Sequence, residues 1–159
     1  MADGATYRAV FIRMHPTGKA VLSLSEASQG EDARLAEIAA GELGIPPEDV
    51  KVVHEDTDRF GEGNTFNSEP SDAVGENVAI TARKLRDKAQ IVAGSMLGAA
   101  PDSLSFENGH WAVPGGAAEG VRIQEVAAHT FGGFELPEGI EGSLDAQTTY
   151  RVGAVQAAG

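Results

Sequence analysis

The apolar residues of this chain fall into clusters whose spacing changes from strand-like to helix-like and back. "TYRAVFIRM" and "KAVLSLS" are β-rich segments separated by His15-Pro16-Thr17-Gly18, with proline and glycine placed as a type I turn prefers, which predicts a hairpin. After Ser28 the spacing lengthens: Leu35, Ile38, Ala39 and Leu43 share one helix face, and Gly44 followed by Pro46-Pro47 stops the helix. "VKVVH" then reads as a strand. Together these form a strand–helix–strand unit, whose crossover is right-handed if the two strands are parallel neighbours.

From Asp56 to Ser71 the chain is polar and glycine-bearing, a loop of the length that carries function or disorder. A long helix follows, because Val74, Val78, Ala82, Leu85, Ala89, Val92 and Met96 recur at spacings of three and four, with Arg83, Lys84, Arg86 and Asp87 largely off that stripe. Asn108-Gly109 between two short apolar runs is the strongest local hairpin signal. "RIQEVAAHTF" reads as a short helix and "LDAQTTYRV" as a final strand. These elements predict an α+β fold, a mixed sheet with two main helices packed on it, as a single domain over 1–152 and a frayed tail over 153–159.

The start of the first helix carries its own question. Ser28 with Glu31 three residues on has the form of a capping box, and Asp32 adds a charge favourable to the helix dipole. On this reading the helix end satisfies itself, and an anion arriving there meets fixed negative charge.

Composition narrows the function. Twelve basic residues against 24 acidic ones give a net charge of −12, which repels nucleic acid and anionic lipid and reads as a solvated acidic surface, with a recognition patch for a basic partner as the alternative. There are no cysteines, which excludes disulfides, thiolate catalysis and Cys-held metal sites. The start "MADGATYRAVFIRM" lacks the pattern of a signal peptide, and no apolar run reaches membrane-spanning length. A soluble, cytoplasmic protein is the expectation.

The side chains offer no catalytic constellation. His15, His54, His110 and His129 have no ligand-like spacing, so no metal site is expected on them. "DTDRFGEGN" begins like a calcium loop, but Phe60 stands where a third oxygen ligand belongs and Asn67 where a bidentate glutamate belongs. Glu55 and Asp56 could do acid–base work if buried, and consecutive acids in a loop are ordinarily solvated. No G-x-S-x-G elbow is present.

Nearly the whole chain nevertheless resembles one internal segment of the molybdenum hydroxylase large subunit, the family of aerobic carbon monoxide dehydrogenase and of xanthine and aldehyde oxidoreductases. The resemblance runs from "IRMHPTGKAVLSLSEASQG" through "AEIAAGELGIPPEDVKVVHEDTD" and "TARKLRDKA" to "PDSLSFENGHW" and "EGIEGSLDAQTTYR", with "ELGIPPEDVKVVHEDTD" the most specific stretch. It implies a fold like the molybdopterin-binding domain and a molybdopterin cofactor gripped at two motifs. The first, a glycine-glutamine-glycine-histidine-x-threonine helix start, corresponds to Ser28-Gln29-Gly30-Glu31-Asp32-Ala33, where Gln29 and Gly30 survive. The second, threonine-tyrosine-glycine-serine-arginine-serine, corresponds to Thr65-Phe66-Asn67-Ser68-Glu69-Pro70, where Thr65 and Ser68 survive and the family's cation becomes Glu69.

The family's catalytic glutamate lies in a late glycine-valine-glycine-glutamate motif beyond the matching segment. "AVGE" at Ala73 to Glu76 imitates it by chance, since those residues align with the beginning of the long helix. The resemblance therefore implies no catalytic residue here and no oxidation by this chain alone. Three functions stay open: a fragment or split subunit working with other oxidoreductase subunits; a cofactor-free descendant acting as a binding module; or a new activity at Gln29, Glu31, Asp32, Glu69 and Asp72, where the cofactor used to lie. Surface left bare by missing neighbours predicts a homodimer as one way to cover it.

Overall fold

The computed structural model describes residues 6–25, 31–54, 73–116, 119–132 and 135–152. The expected hairpin is present: β1 (Thr6–Met14) and β2 (Ala20–Leu24) run antiparallel, with Val10 opposite Leu24 and Met14 opposite Ala20. At the turn the Gly18 N–H donates to the His15 carbonyl at 3.0 Å, and Gly18 takes φ +96°, a backbone that favours glycine. From β2 the chain passes through α1 (Asp32–Leu43) and a 3-10 turn at Pro47–Asp49 into β3 (Val50–His54), which pairs parallel with β2. The last strand, β7 (Leu144–Val152), lies antiparallel on the far side of β1, so the sheet order is β3-β2-β1-β7 and the sheet is mixed.

Alternation along these strands sends Val10, Ile12, Met14, Ala20, Leu22, Leu24, Val50 and Leu144 into the core. α2 (Ala73–Leu97) packs on β7 and β1, and α1 packs on α2 and β3. The stripe predicted for the long helix is the one buried: Val78, Ala82, Leu85, Ala89 and Val92 are enclosed, with Val74 and Met96 partly buried at its ends. Each buried leucine, such as Leu35, Leu43 or Leu85, contributes about 1.5–3 kcal/mol relative to exposure. Polar contacts also cross this core: Thr81 Oγ1 lies 2.7 Å from the Asn77 carbonyl oxygen and 2.7 Å from Thr148 Oγ1.

A second, three-stranded antiparallel sheet is built from β4 (Ser105–Glu107), β5 (His110–Ala112) and β6 (Val121–Arg122). Asn108 and Gly109 turn β4 into β5 with φ of 53° and 74°, the signature of the tight hairpin turn that Asn-Gly predicts. β6 leads directly into α3 (Ile123–Phe131), the predicted short helix, where Glu125 Oε1 accepts the Arg122 backbone N–H at 2.8 Å. Trp111 is fully buried between the layers, and its Nε1 donates to Gln90 Oε1 on α2 at 3.1 Å.

The two sheets meet where α1 ends. Gly44 packs its backbone on the β4–β5 turn so closely that a Cβ there would lie 2.0 Å from the Gly109 nitrogen. The same Gly109 offers its carbonyl to the Ile123 N–H at 2.8 Å, which ties the hairpin to α3. Among the described residues the large exposed apolar side chains are Ile80 and Ile91 on α2 and Phe131 at the end of α3. The loop expected over Asp56 to Ser71 and the tail over 153–159 lie outside the described residues.

Candidate functional site

In a parallel strand–helix–strand unit, ligands bind beyond the carboxyl ends of the strands, where the helix begins. Here that place is the end of β3 and the start of α1. The helix begins at Asp32, later than a cap at Ser28 would place it, and Glu31 stands at the cap position with φ −116° and ψ 6°, making no capping hydrogen bond through its side chain. Its carboxylate is instead taken by the Arg34 guanidinium one turn along the helix. Ser28, the other half of the expected capping box, lies outside the described residues.

Asp32 has a different partner. Its Oδ1 lies 2.8 Å from Nε2 of His54, the last residue of β3, so the helix start and the strand end are joined by an Asp–His contact. The sequence contains both residues but no spacing that pairs them, because they are separated by the whole helix. Once the parallel pairing of β2 with β3 is known, the contact follows from placing the end of one strand beside the start of the connecting helix.

Next to this contact, between α1 and β3, runs an open groove of about 360 Å³. Ala33, Ala36, Pro47, Val50 and Val52 supply its apolar floor, and Asp32, Glu37 and Glu48 stand around it. A second hollow of about 500 Å³ lies at the opposite end of α1, where the β1–β2 turn, the β4–β5 turn and the start of α3 converge, and it includes Thr17, Asp49, His110 and Arg122.

Of the residues singled out in the sequence, Glu31 and Asp32 sit together at the head of α1. Gln29, Gly30, Thr65, Ser68, Glu69 and Asp72 lie outside the described residues. Glu76 is exposed on the first turn of α2. The described residues contain no group of three or more His, Cys, Asp or Glu placed to hold a metal ion. No described helix is long and apolar enough to cross a membrane.

The chemistry of the described donors does not fit a diphosphate-bearing group at this helix start. A phosphate grip needs N–H groups and cations converging on the anion, whereas the head of α1 presents two carboxylates, with Arg34 and His54 already engaged by them.

Comparison with known proteins places the chain in context. The model of the molybdopterin cofactor-binding domain matches residues 1–159. The carbon monoxide dehydrogenase large chain of Hydrogenophaga pseudoflava is 32% identical over 142 residues, covering 87% of this chain and 17% of that protein. The nicotine 6-hydroxylase large subunit of Paenarthrobacter nicotinovorans is 30% identical over 152 residues, covering 91% of this chain and 18% of the relative. Among solved structures, a Cu,Mo-CO dehydrogenase in its carbon monoxide reduced state superposes with a TM-score of 0.76 at 29% identity, covering 90% of this chain and 18% of that one. Quinoline 2-oxidoreductase from Pseudomonas putida 86 does so with a TM-score of 0.70 at 30% identity, covering 91% and 19%. The chain thus spans less than a fifth of the length of these relatives.

Proposed function

We propose, on the premise that this chain belongs to the molybdopterin cofactor-binding domain family, that it serves as one segment of a molybdenum hydroxylase-type oxidoreductase and is not catalytic by itself. The observation that carries this reading is the combination of near-complete coverage of this chain with coverage of only 17% of a carbon monoxide dehydrogenase large chain. On this reading the rest of the enzyme, including the parts that would complete a cofactor site, comes from other polypeptide in a cytoplasmic assembly. What this chain supplies is a preformed wall: the α1 and α2 layer on the mixed sheet, with the second sheet fixed to it at Gly44 and Gly109.

One observation favours a second reading, a cofactor-free descendant acting as a binding module or using the old pocket for new chemistry. The head of α1 carries Glu31 and Asp32 and so opposes the anion that the family fold would hold there. Protein purified from its native host separates the two readings. Molybdenum and a pterin travelling with the chain, together with other oxidoreductase subunits, support the segment reading; metal-free, pterin-free protein without such subunits refutes it and leaves the descendant.

A further inference from the structure

We propose that the groove between α1 and β3 binds a small organic cation, an ammonium carried on an apolar body. The inference goes beyond the segment reading and needs neither a cofactor nor another subunit. Leu35, Ala39 and Leu43 bury one face of α1 in the core, and Ala33, Ala36 and Glu37, at spacings of three and four, form a second face along its flank. Alternation in β3 turns Val50 and Val52 toward this flank and Lys51 to the opposite side of the strand, where it is exposed. Pro47, at the head of the turn that enters β3, adds to the same apolar floor.

The groove measures about 360 Å³, the size of a site for a small molecule. Asp32, Glu37 and Glu48 stand around it, and no lysine or arginine lines it. At either end of α1 the acids are matched by cations, Glu31 by Arg34 and Glu42 by Arg83 and Arg86. Along the groove they are not: the Glu37 and Glu48 side chains have no hydrogen-bond or ion-pair partner among the described residues. Asp32 gives Oδ1 to His54 at 2.8 Å and keeps Oδ2 for another donor. An apolar floor is thus edged by carboxylates whose charge the chain does not itself balance.

Charge and floor together select the ligand. An anion is repelled by the three carboxylates, and a neutral apolar body gains the floor alone. A small hydrated cation gains the charges alone and leaves the floor wet. An ammonium on an apolar body gains both, its carbon atoms covering Ala36, Val50 and Val52 while its charge stays at the acidic rim.

The test is a titration of the full-length chain followed by amide chemical shifts in nuclear magnetic resonance, with hexyltrimethylammonium as the probe. Hexanol supplies the body without the charge, and tetramethylammonium the charge without the body. The expected result is saturable shifts centred on Ala33, Ala36, Val50 and Val52. Hexyltrimethylammonium should bind about tenfold more tightly than tetramethylammonium, the gain from burying roughly two methylene groups on the floor. Each carboxylate some 4 Å from the cation is worth about fivefold in affinity in water, so Glu37→Gln with Glu48→Gln should weaken binding roughly twenty-fivefold at low salt and far less at high salt. Ala33→Phe, at an exposed helix position, lays a ring over the floor and should abolish binding while circular dichroism stays native. No saturable shift, shifts centred elsewhere, or hexanol binding as tightly as the cation overturns the proposal. So does undiminished affinity in the double glutamine variant or in Ala33→Phe, since the ligand would then be held by other residues.

Discussion

Three glycines in or next to helices isolate the strength of the joint between the two sheets. Gly44 and Gly98 each follow a helix and each hold a left-handed backbone, with φ of +77° and +70°. A Cβ on Gly98 would meet nothing within 4 Å, whereas one on Gly44 would lie 2.0 Å from the Gly109 nitrogen and 2.7 Å from the Asn108 carbonyl carbon. Gly41 lies inside α1 with open space around its Cβ position. Gly41→Ala should therefore stabilise the protein by about 0.5–1 kcal/mol through helix propensity alone. Gly98→Ala should cost about 1–2 kcal/mol, the penalty for an alanine in the left-handed region. Gly44→Ala carries the same penalty and must also displace backbone that has no rotamer to change. Overpacking adds about 1–3 kcal/mol, which brings the total to roughly 2–5 kcal/mol. Urea unfolding with linear extrapolation, accepted only where the slope stays constant across the variants, measures all three. A Gly44→Ala protein no less stable than Gly98→Ala would refute the backbone contact on which the joint between α1 and the β4–β5 hairpin rests.

The polar contacts of the core make a second prediction: Thr81→Val leaves the Thr148 hydroxyl buried without its 2.7 Å partner and should cost about 1–3 kcal/mol, whereas Thr81→Val with Thr148→Val should recover much of that loss in the same unfolding assay. Gln90 bridges Trp111 Nε1 at 3.1 Å and the Pro101 carbonyl at 2.9 Å, so Gln90→Leu should cost about 2–4 kcal/mol and change the emission of the protein's single tryptophan while far-ultraviolet dichroism stays native. At the head of α1, where the Glu31 and Asp32 side chains are 42% and 50% exposed, solvent screening limits each charge to about 1 kcal/mol of repulsion against an anion some 4 Å away. Titration calorimetry with inorganic diphosphate should accordingly show Glu31→Gln with Asp32→Asn binding roughly thirtyfold tighter than the parent at low salt, and a gain that survives high salt would rule out the electrostatic account.

Most of the fold was legible because its signals are local. The long helix announces itself by seven apolar residues in one stripe from Val74 to Met96, and burial follows that stripe. The two hairpins are written in Pro16 with Gly18 and in Asn108 with Gly109, whose backbone conformations the turns require. β6 was not legible, because two residues carry no periodicity. Its pairing to β5 depends on Gly120, where a Cβ would fall 1.8 Å from the Trp111 carbonyl oxygen, a constraint that appears only when the strands are already side by side.

The head of α1 shows why site chemistry is harder to read than fold. Ser28-x-x-Glu31 before an apolar periodic run is the pattern of a capping box, and it differs from an anion-binding helix start only in the direction its polar groups face. Local sequence cannot fix that direction. Arg34 lies three residues from Glu31 and could have been paired with it from helix spacing, as it is in the structure. His54 lies 22 residues from Asp32 and reaches it only because β3 returns parallel to β2 and ends beside the helix start. The site is thus decided by a tertiary arrangement that every member of a strand–helix–strand fold shares, and by side chains that one substitution can change. Two carboxylates at the head of α1, each engaged with a basic side chain, leave the fold of the family intact.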